Sequence, residues 1–335
     1  MTAAQLKLYP WQKQQWQQLQ AYRVQQRIPQ ALLLTGKPGL GKRQLAEHYV
    51  AALLCADSEL SDSGYACGVC SSCQLLAAHT HPDYLCLEPD EPGKAIGIDQ
   101  IRQMNAKLAL KPQFERYRVI IIEPADALNS AAANAFLKCL EEPTERTCFI
   151  LIAQQASRLP ATIRSRCQKM QCEPPDTQTA LRWLAQQGVT VNSAIVLEMA
   201  QGSPLQALAY AKTEMIAVRQ QVFEDWCQLA SSDLRLQEIA ERWQKFDQMQ
   251  LDRVLSWLAS WLSDLIKLGL AGQQATLRSP DLEPLLHKLL PQLDLKALYR
   301  YYDSILHSRS KLSTTLNKQL LIEALLLDWC QLNHR

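Results

Sequence analysis

An α/β half followed by an all-helical half is the fold class that the 335-residue sequence predicts. Three observations carry it. Short apolar runs at 31–35, 83–87, 119–122 and 148–153 alternate with helical stretches, the rhythm of a parallel sheet whose faces are covered by helices. A glycine-rich loop stands between the first run and an amphipathic stretch, the context in which such a loop can hold phosphate. After the Pro174-Pro175 break no convincing strand occurs and the apolar spacing is helical.

A chain of this length exceeds what one hydrophobic core organises, so two or three domains are expected. The boundaries fall at 1–172, 173–212 and 213–335. In the first segment Leu45, Tyr49, Val50, Leu53 and Leu54 share one helical face, and Ile98, Ile101, Leu108 and Leu110 mark a second, less regular helix. The middle segment carries the apolar face Leu181, Leu184 and Ala185, then a Gly202-Ser203-Pro204 punctuation before another short helix. In the third, Val254, Trp257, Leu258, Trp261, Leu262, Leu265 and Ile266 recur at i, i+3, i+4, i+7, i+8, i+11 and i+12, an amphipathic helix. The stretch 320–329 is apolar nearly all round, which predicts a helix buried by its own domain or by neighbouring subunits.

Composition narrows the function classes. Hydrophobic residues make up 47% and charged residues 20%, a soluble globular balance. With 35 Lys and Arg against 33 Asp and Glu, no overall field holds the chain on DNA or an anionic membrane, so any DNA contact must be local or shared. No signal-like apolar region opens the sequence and the apolar runs are shorter than a membrane span, so a cytoplasmic location with no membrane contact is expected. In that reducing compartment the eleven cysteines are not a disulfide framework. Seven of them are scattered in apolar or helical stretches, where a thiol packs as a small hydrophobe.

The loop Gly36-Lys37-Pro38-Gly39-Leu40-Gly41-Lys42-Arg43 reads as a degenerate phosphate loop. Gly36, Gly39 and Gly41 let backbone N–H groups turn toward a phosphate at a helix N-terminus, and Lys42 supplies a compact positive charge. The next position normally carries a Ser or Thr hydroxyl for Mg²⁺. Arg43 offers only donors and is itself cationic, so the loop should activate phosphate poorly, and ATP binding by this chain is doubtful.

Cys67-x-x-Cys70-x-x-Cys73, with Cys55 upstream, offers four thiolates, the number that a structural Zn²⁺ needs. An iron–sulfur site has a related three-cysteine run, but the Cys-Pro ending is missing; free thiols are the plain alternative. His79 and His81 lie near and are not needed as ligands. His81-Pro82-Asp83 starts the next strand instead.

Tyr9-Pro10-Trp11, the phosphate loop, the four-cysteine insertion, Lys138-Cys139-Leu140-Glu141-Glu142-Pro143, Ser165-Arg166-Cys167 and Gly202-Ser203-Pro204 follow one another in an order that resembles the AAA+ clamp-loader family of bacterial DNA polymerase III. The resemblance implies an AAA+ P-loop parallel-sheet domain with a zinc-binding insertion, a small helical lid domain and a C-terminal helical collar domain that holds five subunits together. It implies Zn²⁺ on Cys55, Cys67, Cys70 and Cys73. It also implies neighbours: gamma/tau ATPase subunits, a delta subunit and, through the complex, a sliding clamp and primed DNA.

Active members carry Asp then Glu after the third strand, where Glu123 and Pro124 stand here, and a lid arginine where Pro204 and Leu205 stand. Their first sensor would lie near Gln154. Proline accepts no proton, so the water-polarising group is missing. Loss of these parts beside a retained Ser-Arg-Cys implies a non-hydrolysing stator. Arg166, and not Arg164, is then an arginine finger aimed at the adjacent gamma/tau subunit's ATP. Arg102, Lys107 and Lys138 would look toward duplex phosphates, although a solvated helix face explains them as well. Two rival readings remain: a weak autonomous AAA+ ATPase such as a helicase loader, with Glu123 on the metal, and a standalone zinc-dependent DNA binder.

Overall fold

The computed structural model describes residues 8–57, 64–91, 93–109, 111–114, 116–142, 144–312 and 317–333. Leu110 of the second predicted helix and Pro143 of the Leu-Glu-Glu-Pro element lie outside them. The chain forms two compact units, one of Met1–Trp183 with Gly202–Gln206 and one of Leu184–Gln201 with Ala207–Arg335.

The first unit is built on a parallel sheet of β1 (Ala31–Thr35), β2 (Tyr84–Leu87), β3 (Arg118–Ile122), β4 (Thr147–Ala153) and β5 (Gln168–Gln171), in the order β2-β3-β4-β1-β5. Four strands agree with the apolar runs to within a residue. β5 was missed because it is an edge strand of sequence Gln-Lys-Met-Gln in which only Met170 is buried. A one-sided edge needs no continuous apolar run.

Side chains alternate across the central strands. Leu32, Leu34, Val119, Ile121, Ile150 and Ile152 face one core. It is closed by Trp16 and Leu19 of α1 (Lys13–Val24) and by Leu45, Tyr49, Val50, Leu53 and Leu54 of α2 (Lys42–Leu54), the face that the periodicity predicts. The insertion between α2 and β2 carries α3 (Ser71–Ala77). Leu33, Ile120, Ile122, Phe149 and Leu151 point the other way, onto α4 (Ile98–Leu108), α5 (Ser130–Glu141) and α6 (Ala161–Arg166). In α7 (Thr177–Gln186) the buried residues are Ala180, Trp183 and Leu184, with Leu181 half-buried and Ala185 exposed. The predicted face is therefore turned by one residue, because Trp183 claims the inside.

One ion pair of this unit is buried on both sides among its described residues. The carboxylate of Asp83, which precedes β2, is fully buried and accepts from Arg118 Nη2 at 3.2 Å and from the backbone N–H groups of Gln113 and Phe114. Arg118 in turn donates to the Lys107 and Lys111 carbonyls. This network ties the α4–β3 connection to two adjacent strands.

Helices α8 (Ser193–Met199), α9 (Pro204–Ala211, which starts in the first unit), α10 (Met215–Ser231), α11 (Leu236–Gln244), α12 (Gln248–Ala271), α13 (Glu283–Leu289), α14 (Leu295–Lys311) and α15 (Lys318–Asn333) make the second unit, with no strand among its described residues. Every member of the predicted α12 face is buried. By length and composition α12 could cross a membrane, contrary to the expectation from apolar runs, but its apolar residues serve this core. Phe223, Trp226, Trp261 and Trp329 form its centre, Trp226 and Trp329 stacking at 4.0 Å. On α15, Ile322, Leu325, Leu326, Trp329 and Cys330 are buried while Leu320 and Leu327 are exposed.

Substituting Asp83→Ala leaves the Arg118 charge buried without its partner, which costs about 3–5 kcal/mol. Urea unfolding of the two proteins measures it, and a difference within ~0.5 kcal/mol would mean that the pair carries no net stability.

Candidate functional site

β1 delivers the chain into the glycine-rich loop, and the three expected glycines have the backbone that the loop requires: Gly36, Gly39 and Gly41 lie at φ +146°, +76° and +78°. Their bare α-carbons are also needed for packing. A Cβ on Gly39 would stand 2.7 Å from Gln206, and one on Gly41 would stand 2.6 Å from the Tyr9 ring. The loop is thus covered from both flanks. Trp11 Nε1 and Gln12 Nε2 donate to the Leu40 carbonyl, and the Leu205 N–H donates to the Gly39 carbonyl. Tyr9 stacks on Trp11, and both meet the edge of Trp183.

Lys42 opens α2 and folds back on the loop. Its ammonium is buried and donates to the Gly36 and Lys37 carbonyls at 2.6 and 2.7 Å. Burial lowers its pKa, opposed by Cys172, Glu123 and Asp126. Arg43, at the position of a metal-binding hydroxyl, makes a three-way ion pair: Nε to Glu47 at 2.7 Å, and Nη1 to both Glu88 and Glu123 at 2.5 and 2.8 Å. Partial burial works against its charge, but Glu123, Cys86, Glu88 and Glu47 outweigh that and hold its pKa above the ordinary value. Glu123 Oε2, the candidate metal oxygen, is thereby occupied by a guanidinium. After β4 the Gln154 side chain is exposed, and the Gln154 and Gln155 N–H groups are capped by the Asp126 carboxylate.

The four cysteines come together. Cys55 ends α2, Cys67 and Cys70 bracket a turn with Gly68 at φ +76°, and Cys73 lies on α3. Their sulfurs lie within 4.8 Å of one another, with Cys55–Cys70 and Cys67–Cys73 both at 4.0 Å. A tetrahedral Zn–S₄ site with bonds of about 2.3 Å places sulfurs about 3.8 Å apart, so the geometry fits. Backbone N–H groups of Cys67 and Cys70 point at the sulfurs of Cys55 and Cys67. Burial resists ionisation of Cys70, yet N–H groups and neighbouring thiols bring it down to about 7, while burial holds Cys55 and Cys73 above the usual thiol range. A divalent cation would let all four ionise together. His81 is not a ligand: its Nδ1 accepts the Asp83 N–H and its Nε2 donates to Ser72 Oγ at 2.8 Å.

Arg166 is the last residue of α6 and is exposed. Its Nη2 donates to Glu141 Oε1 at 2.9 Å and its Nη1 to the Thr162 carbonyl at 3.0 Å. Arg164 is half-buried, with its Nε lacking a hydrogen-bond partner. Of the candidate DNA contacts, Arg102 and Lys107 lie on α4 and Lys138 on α5, all exposed, with Arg102 paired to Asp99. Sequence reasoning missed Glu88 and Glu141 as partners of the two arginines. Glu47, four residues after Arg43, was missed as well, although helical spacing could have found it.

The chain resembles known proteins over most of its length. Residues 11–176 match the family "DNA polymerase III, delta subunit" and residues 213–331 the family "DNA polymerase III, delta subunit, C terminal". The chain is 37% identical to DNA polymerase III subunit delta' of Pseudomonas aeruginosa, over 97% of this chain and 98% of that one. It is 32% identical to the subunit of the same name from Escherichia coli K12, over 96% and 95%. Among solved structures, a gamma subunit-related protein of Thermotoga maritima aligns over 95% of this chain and 100% of its own, at 19% identity and a TM-score of 0.43.

Gly41→Ala forces a Cβ into Tyr9 and Gln12 at a left-handed backbone, a strain of about 1–3 kcal/mol. Thermal melting should fall by several degrees, and an unchanged midpoint would mean that the covered loop is not the arrangement in solution.

Proposed function

Because the chain belongs to the delta' family of DNA polymerase III subunits, a clamp-loader family of AAA+ fold that serves DNA replication, we propose that it is the non-hydrolysing stator of that loader. The observation that carries this reading is the Arg43 ion pair with Glu123, Glu88 and Glu47. It puts a fixed monovalent cation where a nucleotide's Mg²⁺ would sit and occupies the carboxylate that would hold it. Pro124 replaces a water-polarising carboxylate, and Leu205 replaces a lid cation and bonds to the loop by its backbone. The chain's own site therefore neither binds the metal nor orients the water.

In this reading Arg166 acts in trans. Its planar fork stands exposed at a helix end, and it addresses the ATP of the adjacent gamma/tau subunit, where charge develops on the transferred phosphoryl group. Residues 1–172 form the AAA+ domain, 173–212 the lid and 213–335 the collar, which joins gamma/tau and delta in the ring. Arg102, Lys107 and Lys138 serve as weak phosphate contacts to primed DNA beside the sliding clamp. The location is cytoplasmic.

Cys55, Cys67, Cys70 and Cys73 hold a structural Zn²⁺. Four sulfurs close the tetrahedron, so the metal supplies cross-linking of the insertion and has no open position for chemistry. Protein prepared without chelator should contain about one zinc per chain, and stripping it should lower the melting temperature. Metal analysis that finds none, or finds iron, overturns the assignment.

The isolated chain should turn over no ATP above background. In a reconstituted loader, Arg166→Ala should leave assembly intact while lowering the DNA- and clamp-stimulated ATPase, by a factor on the order of 10³ at its one site and less in the total rate. Arg166→Lys should rescue poorly, since an ammonium lacks the fork. A loader with Arg166→Ala that matches wild type, while Arg164→Ala is impaired, would identify the other arginine as the finger. ATP turnover by the isolated chain that disappears on Lys42→Ala would overturn the stator reading.

A further inference from the structure

Arg166 is not a free cation in this chain. Two acceptors hold its fork, and they differ in kind. The Thr162 carbonyl lies four residues back on the arginine's own helix, and Arg166 itself ends that helix, where the partial negative charge of the C-terminus suits a guanidinium. Glu141 comes from another helix, 25 residues earlier, and is the last residue of α5. The same partial charge disfavours a carboxylate there, so capping its own helix does not account for Glu141. It pairs with Arg166, and the pair stands in water, with side chains 39% and 50% exposed.

An ion pair so exposed is worth a factor of only about two to five in an equilibrium. A bidentate contact from arginine to phosphate in a water-poor interface is stronger. The exchange of Glu141 for phosphate therefore runs forward as charge develops on the transferred phosphoryl group, against a small and definite opposition. The Thr162 carbonyl would still orient the arm after Glu141 has let go.

We propose that Glu141 is a positioning residue that parks Arg166. It neutralises the guanidinium while the chain stands alone or faces an empty site, and it must release the fork before that fork can address the phosphates of a neighbouring subunit's nucleotide. This rests on reading Arg166 as a finger. The carboxylate acts only through Arg166 and touches no nucleotide, so it sets how much of the arginine's charge is available to the transition state.

The test uses the reconstituted complex and the Arg166-dependent part of its DNA- and clamp-stimulated ATPase, defined as the rate lost on Arg166→Ala. Glu141→Gln should raise that part about two- to fivefold at low salt, with the KM for ATP unchanged, because the released charge is spent on the transition state. The gain should shrink as salt is raised and screens the exposed pair. It should vanish in the Arg166→Ala background, which a merely structural role for Glu141 would not require. Glu141→Ala should act in the same direction, which guards against a peculiarity of glutamine. An Arg166-dependent rate that is unchanged or lowered by Glu141→Gln, or a gain that persists without Arg166, overturns the parking role and leaves the finger standing. If Arg166→Ala itself matches wild type, the finger reading fails first and the parking role with it.

Discussion

A guanidinium at position 43 has to be neutralised, and much of the first unit's edge is arranged around doing so. Arg43 lies in the first turn of a helix whose N-terminus already carries partial positive charge and stands one residue after a buried ammonium. Three carboxylates answer it: Glu47 one helical turn on, and Glu88 and Glu123 just beyond the ends of β2 and β3. Because β2 and β3 are neighbours in the sheet, the two carboxylates converge on one nitrogen. A covalently attached cation thus stands in the middle of three carboxylates, two of them delivered by neighbouring strands.

The flanks of the loop are closed by the same economy of short contacts. Tyr9, Trp11 and Gln12 cover it from the turn just before α1, and Leu205 and Gln206 from the segment after Gly202. Lys42 turns its charge to the Gly36 and Lys37 carbonyls of the loop. The two arginines that the chain presents, Arg43 and Arg166, thus stand in opposite conditions. One is enclosed by three acids. The other is held by one acid and one carbonyl at a helix end and remains exposed.

The cysteine cluster is anchored by contacts that do not depend on sulfur. Gln20 and Arg23 of α1 both donate to the Gly64 carbonyl, and Tyr65 stacks on Trp16 at 5.0 Å. On the other side Ser72 donates to the Leu54 carbonyl and accepts from His81, which in turn accepts from the Asp83 backbone. The insertion is therefore attached to α1, to the end of α2 and to the start of β2. A metal in the cluster would lock an arrangement that the surrounding hydrogen bonds already favour.

Periodicity and spacing are local properties, and the sequence by itself determined whatever depends on them. The four apolar strands, the α2 and α12 faces, the glycine loop and the Cys-x-x-Cys-x-x-Cys turn were all legible because each is specified within a few turns of chain. The polar edge strand β5 was not, since its place is set by pairing with β1 and not by its own residues. Nor was the inward turn of Trp183, which follows from the aromatic pair at Tyr9 and Trp11. Only the tertiary structure decided which charge meets which: Glu88 and Glu123 reach Arg43 across 45 and 80 residues, and Glu141 reaches Arg166 across 25. Strand order and helix packing choose those partners, and Coulomb attraction over a few ångströms carries no trace in sequence distance.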